Sequence, residues 1–354
     1  MHRPTYDLRI RTTRPLPAPS VLERELPLDD AGAQRISQAR TEISAIMSGG
    51  DDRLFVVVGP CSIHDPDAAL DYARLLNAEA SRHAGEIVVA MRVYFEKPRT
   101  VLGWKGLIND PDLDKTFNIS KGLRTARKLM ADITALGLPI GTEFLETTFG
   151  QYYADFVSWG AIGARTVESQ IHRELASGLS MPVGFKNRTD GDVQVAVDAI
   201  RSARHPHWFP TLAHDGTPAC MQTTGNTDTH LVLRGGSRGP NYSAADVEKA
   251  AGLLARHGLP TRIMVDLSHA NSRKGEPERQ KAVASDIAGR IAAGDLAVAA
   301  VMVESNLVGG SQEYGALPLV RGQSVTDACL SWEDTVPLLS ELAGAVKARR
   351  SLKA

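Results

Sequence analysis

The sequence contains very little cysteine. Only three cysteines occur among 354 residues, Cys61, Cys220 and Cys329, which is too few for a framework of disulfide bonds. The sequence also lacks any apolar run of the roughly 18 residues that a membrane helix needs. Its first 20 residues are rich in Arg and Pro and contain no apolar stretch of signal-peptide length. We therefore expect a protein of the reducing cytoplasm with no membrane partner.

The chain has no excess of either charge. Lys and Arg number 40, Asp and Glu number 41, and the net charge is −1. A protein that binds nucleic acid through its phosphates normally presents a basic surface, so the composition argues against a nucleic-acid partner. With 43% apolar residues, the chain can bury a large core, either as two domains or as one barrel domain.

Short apolar or β-branched runs alternate with amphipathic stretches along most of the sequence. This alternation is typical of a parallel sheet built from strand and helix units. The predicted strands are residues 54–59, 87–94, 139–144, 161–165, 182–186, 230–233, 262–267 and 297–303. The predicted helices are residues 66–83, 120–136, 151–159, 169–179, 192–203, 243–257, 278–293 and 332–349. These pairs predict an α/β fold, a (β/α)8 TIM barrel over residues 51–350.

Two segments lie outside this scheme. Residues 1–50 contain an extended arm with several prolines and a predicted helix at 31–47, and we interpret them as an N-terminal extension for regulation or oligomerisation. Residues 207–224 contain two runs around Asp215 and Gly216, a dipeptide suited to a hairpin turn. This segment predicts a β-hairpin inserted between the fifth helix and the sixth strand.

Charged and metal-binding side chains end nearly every predicted strand. In order they are Cys61, Arg92, Glu143, Arg165, Lys186, Arg234, His269 and Glu304, with Asp327 in the last loop. The carboxyl ends of barrel strands form the catalytic face, so these side chains should share one mouth with Lys97 and Arg99. Clustered cations repel one another unless an anion binds there, and this mixture suits one or two small phosphorylated substrates. The alternative is that each cation pairs with a nearby surface carboxylate.

Four of these residues have side chains that bind divalent metals. Taken singly, Cys61 would be a core residue and His269 a hydrogen-bonded structural group. Together with Glu304 and Asp327 they form a shell of S, N and O donors that suits Mn, Fe, Co or Zn better than Mg or Ca. Cys329 either packs in the core or forms a reversible disulfide with Cys61 when metal is lost.

Long motifs occur in a fixed order along the chain: GPCSIHD, KPRT followed by GWKG, TEFLE, PVGFKN, LRGG, DLSHANS, MVESN and SVTDACLSWEDT. Through these motifs the chain resembles the 3-deoxy-D-arabino-heptulosonate 7-phosphate synthases, which open the shikimate pathway to chorismate and the aromatic amino acids. The likeness is to their feedback-regulated class. The resemblance implies that phosphoenolpyruvate, erythrose 4-phosphate and water condense in a metal-dependent reaction that releases phosphate.

The resemblance also implies roles for individual residues. The implied metal ligands are Cys61, His269, Glu304 and Asp327. The implied phosphoenolpyruvate site contains Arg92, Ala164, Arg165, Lys186 and Arg234, and the implied erythrose 4-phosphate site contains Lys97, Arg99 and Thr100. Lys97 is expected to polarise the aldehyde together with the metal, and Glu143 to orient or activate the water.

Feedback inhibition by an aromatic amino acid and assembly as a homodimer or homotetramer follow from the same resemblance. The implied effector site contains Asp7, Gly150, Leu179, Ser180, Phe209, Thr211 and Met221. The chain has Gly150 where the phenylalanine- and tyrosine-sensitive members of the family have Pro, so that it resembles the tryptophan-sensitive members at this position. Gly150 therefore favours tryptophan as the effector. Thr211 and Met221 match none of these three types of member. Two alternatives stay open: a related synthase that condenses phosphoenolpyruvate with a five-carbon phosphosugar, and a non-catalytic sensor of aromatic amino acids.

Overall fold

Eight parallel strands close into a barrel in the computed structural model, which describes residues 5–99, 102–273, 275–315 and 318–352. The strands are β1 (Leu54–Gly59), β2 (Ile87–Arg92), β3 (Ile140–Glu143), β4 (Trp159–Ile162), β5 (Val183–Lys186), β6 (Trp208–Leu212), β7 (Pro218–Gln222), β8 (Thr229–Leu233), β9 (Ile263–Asp266), β10 (Val298–Glu304), β11 (Val308–Ser311) and β12 (Gln323–Ser324). The barrel order is β1-β10-β9-β8-β5-β4-β3-β2. Every residue of β1, β2 and β10 is buried, as expected for strands covered on both faces. The predicted barrel is confirmed.

Helices follow the barrel strands and form the outer layer. They are α1 (Pro19–Glu25), α2 (Asp30–Ser48), α3 (Pro66–Arg82), α4 (Ile119–Ala135), α5 (Gln170–Gly178), α6 (Gln194–Ala203), α7 (Ala244–Arg256), α8 (Arg279–Ala292) and α9 (Trp332–Ser351). Side chains in the preceding loops fix several helix starts. Asp65, Ser169 and Ser243 each accept a hydrogen bond from a backbone N–H in the first turn, which satisfies a donor that the helix itself leaves unpaired.

Helix α2 closes the amino end of the barrel. Its residues Ile43, Ile46 and Met47 belong to one buried cluster with Phe55 and Trp159 from inside the barrel. The amino ends of the strands are therefore sealed by apolar side chains. A polar cavity can therefore form only at the opposite end of the barrel, where the strands end.

The prediction of a helix over residues 151–159 is wrong. Two short 3-10 helices, Phe149–Tyr152 and Ala154–Phe156, occupy this stretch, and β4 begins at Trp159. Two arginines satisfy the carbonyl groups that an α-helix would have paired: Arg40 donates to the carbonyls of Ala154 and Val157, and Arg127 donates to that of Tyr152. Tertiary hydrogen bonds thus replace the helical ones.

The inserted hairpin is present where the sequence predicts it. Strands β6 and β7 pair antiparallel, with Phe209 opposite Met221, and Gly216 adopts a left-handed φ of 83° at the turn. The backbone N–H of Ser20, in α1, donates to the carbonyl of His214 at 2.8 Å. The N-terminal extension and the hairpin therefore contact each other on the side of the barrel.

Smaller features were not expected from the sequence. These are helix α1 and the two-stranded parallel sheet of β11 and β12, which shapes the loop before Asp327. Strand β2 ends at Arg92 rather than at residue 94, and β4 ends at Ile162, so that Ala164 and Arg165 lie in the loop beyond it. Within the described ranges, no helix combines the length and the apolar character required to span a bilayer.

Candidate active site

A cavity of about 570 Å³ opens at the carboxyl end of the barrel. The predicted site residues that line it are Lys97, Arg99, Glu143, Ala164, Arg165, Lys186, Arg234, His269, Glu304 and Asp327. Cys61 and Arg92 have no exposed surface and lie beneath this lining, in contact with Asp327 and Glu304 respectively. Thr100 lies outside the described residues. Residues that are far apart in the sequence thus converge on one site because strand ends deliver them.

Three of the predicted metal ligands form a compact group. Donor atoms of Cys61, Glu304 and Asp327 all lie within 4.8 Å of one another, and Cys61 Sγ is 3.7 Å from Asp327 Oδ2. His269 does not belong to this compact group, but its Nε2 is 3.7 Å from Glu304 Oε1 and faces it. Burial and the Glu304 carboxylate raise the pKa of the Cys61 thiol to about 11. The donors match the S, N and O shell expected for a borderline divalent ion.

The His269 ring is fixed from behind by Asp266. Its backbone adopts a left-handed φ of 57°, which is uncommon for a residue other than glycine. Nδ1 lies 2.8 Å from Asp266 Oδ2 and 2.7 Å from the Ser268 hydroxyl. A carboxylate on one ring nitrogen orients the other towards a metal, so Nε2 remains available on the side of Glu304.

Asp266 is the functional residue that the sequence reasoning missed. Its carboxylate is fully buried and also accepts a hydrogen bond from Lys186 Nζ at 2.9 Å. Burial raises the pKa of Asp266, but His269 and Lys186 together lower it by more than burial raises it. The net pKa of Asp266 therefore lies well below the usual range. An acidic residue that ends a wholly buried strand was the available signal. Because the strand was predicted one residue too long, through 267, Asp266 was not recognised as the residue that ends it.

Lys97 reaches the same centre from the loop after β2. Its Nζ donates to the Cys61 carbonyl and contacts Cys61 Sγ, both at 2.9 Å. Burial lowers the pKa of Lys97, but Cys61 and Glu304 raise it by more, so the net shift favours the ammonium. The backbone N–H of Lys97 also donates to the carbonyl of Lys105, which anchors the backbone of Lys97.

The predicted cations are not all unpaired. Lys186 pairs with Asp266 at 2.9 Å, and Arg92 Nη2 pairs with Glu304 Oε1 at 3.1 Å. Burial lowers the pKa of Arg234, and the nearby Arg165 lowers it further while carboxylates oppose the shift. Two guanidinium groups that lie close together in a cavity wall indicate a site for an anion.

Glu143 also lines this cavity. Its carboxylate lies against Gly163, where an added Cβ would come within 2.1 Å of Glu143 Oε1. Any side chain at Gly163 would therefore displace the carboxylate. Among the residues that line the cavity, Glu143 is thus held close to the backbone that carries Ala164 and Arg165.

A second cavity of about 820 Å³ lies between the barrel and the hairpin. The predicted effector residues that line it are Gly150, Leu179, Ser180, Phe209 and Met221. Thr211 and Asp7 do not line it: Thr211 is half-buried further along the hairpin, and Asp7 is exposed on the N-terminal arm. The structure therefore brings together most, but not all, of the predicted effector site.

Cys329 is buried beside Cys61. Its Sγ accepts a hydrogen bond from the backbone N–H of Cys61 at 3.4 Å, and both thiols are free. Packing against the Cys61 loop is the role that this contact supports. A disulfide between the two residues after metal loss stays a prediction.

Fold and site together define a class: a (β/α)8 barrel whose rim joins a potential metal centre to a cluster of anion-binding cations. A sequence profile of the DAHP synthetase I family matches residues 32–340. The chain belongs to this family.

Individual relatives are similar over nearly their whole length. A Phe-sensitive phospho-2-dehydro-3-deoxyheptonate aldolase of Escherichia coli K12 is 53% identical over 345 residues, which cover 97% of this chain and 98% of the relative. A Trp-sensitive one from Enterobacter agglomerans is 51% identical and covers 98% and 99%. The structure of the Francisella tularensis aldolase superimposes with a TM-score of 0.95 at 50% identity, covering 96% of this chain and 99% of that one.

Proposed function

We propose that this protein condenses phosphoenolpyruvate with D-erythrose 4-phosphate and water to give 3-deoxy-D-arabino-heptulosonate 7-phosphate and phosphate. The observation that carries the proposal is the convergence of Lys97, Arg99, Arg165, Lys186 and Arg234 on one cavity beside the Cys61, Glu304 and Asp327 donors. Two phosphorylated anions repel each other in water. A cavity lined by cations holds them together and supplies most of the positioning that the reaction needs.

Arg165, Lys186 and Arg234 line the end of the cavity that we assign to phosphoenolpyruvate, and Lys186 pairs there with the buried Asp266. Arg165 and Arg234, with the backbone of Ala164, suit its phosphate because guanidinium groups fit phosphate oxygens. Lys186, which Asp266 holds in place, suits its carboxylate, and Arg92 supports this end of the cavity from beneath the lining, where it pairs with Glu304. C3 of the bound molecule then faces the aldehyde.

We assign Lys97 and Arg99 to the aldehyde end, together with Thr100, which lies outside the described residues. A divalent ion held by Cys61, His269, Glu304 and Asp327, of the Mn, Fe, Co or Zn type, would supply Lewis acidity at the aldehyde oxygen. The Lys97 ammonium lies beside Cys61 and donates a hydrogen bond or a proton to the same oxygen as C3 of phosphoenolpyruvate attacks the carbonyl carbon.

Water completes the reaction at C2 of phosphoenolpyruvate, where positive charge develops. Glu143 lies on the cavity wall next to Gly163, and we assign to it the role of accepting the proton of that water. The resulting hemiketal phosphate then expels inorganic phosphate and leaves the seven-carbon keto acid. Arg165 and Arg234 stabilise the negative charge of the departing group.

The direct test is phosphoenolpyruvate consumption by the purified protein. We expect consumption with erythrose 4-phosphate and little with arabinose 5-phosphate. The reverse preference would favour the five-carbon synthase, and no consumption with either aldehyde in the presence of Mn²⁺ would favour a non-catalytic sensor.

Replacement of Arg165 by Ala tests the phosphate site. Arg165→Ala should raise the KM for phosphoenolpyruvate by about 10- to 100-fold, because a charge-assisted contact to phosphate contributes roughly 1.5–3 kcal/mol. Its effect on kcat should be smaller. Steady-state kinetics with erythrose 4-phosphate held at saturation measure both. An unchanged KM for phosphoenolpyruvate would remove Arg165 from this role.

Regulation by an aromatic amino acid is proposed for the second cavity. Apolar residues Leu179, Phe209 and Met221 suit an aromatic ring, and the polar Glu23, Arg40, Asp155 and Asp228 suit the charged amino acid group. Tryptophan is the effector that we favour on the basis of Gly150. Relatives of similar identity are named for phenylalanine and for tryptophan sensitivity, so overall similarity does not decide between them.

Met221→Trp tests this cavity. The larger side chain should fill part of it and relieve inhibition at least tenfold in effector concentration, with basal turnover preserved. Cys220→Trp is the matched control, because Cys220 is exposed on the same strand and does not line the cavity. Deletion of residues 1–15 should also relieve inhibition. Inhibition curves with each of the three aromatic amino acids measure these effects, and full inhibition of Met221→Trp would place the effector elsewhere.

We also propose a homo-oligomer, either a dimer or a tetramer, in the cytoplasm. Exposed apolar side chains along the N-terminal arm support self-association: Tyr6, Leu8 and Ile10 are all more than half exposed in the single chain. The three free cysteines support a reducing compartment.

A further inference from the structure

Trp104 lies at the centre of a stack of three rings. The Tyr314 ring stacks on it at 6.4 Å between centroids and 23° between planes, and the His64 ring meets it edge-on at 6.5 Å and 84°. Such pairs stabilise each other beyond simple apolar burial. Trp104 is only 3% exposed and does not line the active-site cavity. Its role in the reaction, if it has one, must act through other residues.

Each ring of this aromatic stack belongs to a different loop of the proposed site. His64 follows Cys61 in the loop after β1. Tyr314 lies in the connection between β11 and β12, which leads on to Asp327. Trp104 lies in the loop that carries Lys97 and Arg99. The stack therefore ties the aldehyde loop to the two loops that supply Cys61 and Asp327.

The link from Trp104 to Arg99 is direct. Arg99 Nε donates a hydrogen bond to the Trp104 carbonyl at 2.8 Å. The Trp104 indole N–H donates to the Asp110 carbonyl at 2.9 Å, and the Tyr314 hydroxyl donates to the Asp110 carboxylate at 3.3 Å. A shift of the indole ring would thus move the acceptor that orients the Arg99 guanidinium.

We infer that Trp104 and Tyr314 are positioning residues that fix the separation between Arg99 and the Cys61 and Asp327 donors, and thereby select a four-carbon aldehyde phosphate over a five-carbon one. The inference rests on the proposed function. An aldehyde phosphate is bound at both ends, by its carbonyl and by its phosphate. If both anchors are held rigidly, a chain with one more carbon fits only when one contact is strained or lost.

The experiment compares wild type with Tyr314→Leu, Tyr314→Phe and the control Phe117→Leu. Tyr314→Leu removes the stacked ring, and Tyr314→Phe keeps it. Phe117 is an exposed ring in the connection between β2 and α4, which also carries Trp104. Tyr314 is half-buried, so its replacement should leave the fold intact. The measurements are the KM for each substrate and the ratio of kcat/KM for erythrose 4-phosphate to that for arabinose 5-phosphate.

We expect Tyr314→Leu to raise the KM for erythrose 4-phosphate about tenfold, equivalent to roughly 1.4 kcal/mol. The kcat/KM ratio should fall, and the KM for phosphoenolpyruvate should change less than about twofold. Phe117→Leu should behave like wild type, and Tyr314→Phe, which keeps the ring but loses the hydroxyl bond to Asp110, should shift these constants by less than Tyr314→Leu does. Trp104→Phe, which keeps a ring but loses the indole donor, should shift the same constants in the same direction by less.

Two results would overturn the inference. One is an unchanged KM for erythrose 4-phosphate and an unchanged kcat/KM ratio in both Tyr314→Leu and Trp104→Phe. The other is an equal rise of both KM values together with a lower melting temperature, which would make the stack purely structural. A wild-type protein that consumes no phosphoenolpyruvate with erythrose 4-phosphate would instead refute the proposed function.

Discussion

Removal of divalent metal is expected to reduce turnover of phosphoenolpyruvate and erythrose 4-phosphate to background, and Mn, Co or Fe ions are expected to restore it. The physical reason is that Cys61, Glu304 and Asp327 gather three anionic or potentially anionic donors within 4.8 Å. A bound cation would neutralise this charge and hold the donors in one geometry. The measurement is the initial rate after chelation and gel filtration, followed by titration with each metal.

Cys61→Ala should lower metal affinity and rate together. Loss of a ligand should weaken metal binding by at least about 10- to 100-fold, the range found for the loss of an outer-shell partner. Direct metal titration by calorimetry reports this independently of activity. Cys329→Ala is the matched control: it removes a neighbouring buried thiol whose hydrogen bonds are to backbone groups, the N–H of Cys61 and the carbonyl of Asp327. Full turnover of metal-free protein, or equal loss of metal in both variants, would contradict this account of the metal centre.

The barrel and the membership of its rim could be predicted from sequence because both depend on local patterns. Wholly buried parallel strands have continuous apolar runs, and the residue that ends each run must lie on the rim. The same argument placed Lys97, Arg165, Lys186 and Arg234 in one cavity before any contact was known.

What the sequence could not provide are contacts between distant residues. Arg92 pairs with Glu304 and Lys186 pairs with Asp266, although the strands that carry each pair are not adjacent in the barrel and the residues are 80 or more positions apart. The left-handed backbone of His269 is likewise unpredictable, because this conformation is forced on it by its surroundings. The prediction of a helix at 151–159 was wrong for the same reason. Carbonyl groups of this segment accept hydrogen bonds from Arg40 and Arg127, which lie on other helices.

The packing around Gly150 is a further contact that the sequence could not provide. Gly150 packs against Phe144, where an added Cβ would lie 3.2 Å from the ring, and the Phe144 ring stacks on Tyr153. The residue therefore affects packing beside the second cavity as well as its lining.

Lys97→Ala is expected to lower kcat by about 10²- to 10³-fold, the cost of losing one donor to a developing oxyanion, while the KM for phosphoenolpyruvate changes little. The Lys97 ammonium lies 2.9 Å from Cys61 Sγ, at the aldehyde end of the cavity, and its positive charge is needed where negative charge grows on the aldehyde oxygen. An interaction made mainly in the transition state lowers kcat and kcat/KM together. Lys105→Ala is the matched control, since Lys105 is exposed in the same loop and contacts Lys97 only through its backbone carbonyl. The same defect in Lys97→Ala and Arg165→Ala, a raised KM for phosphoenolpyruvate with kcat preserved, would mean that Lys97 binds substrate and does not assist the aldehyde.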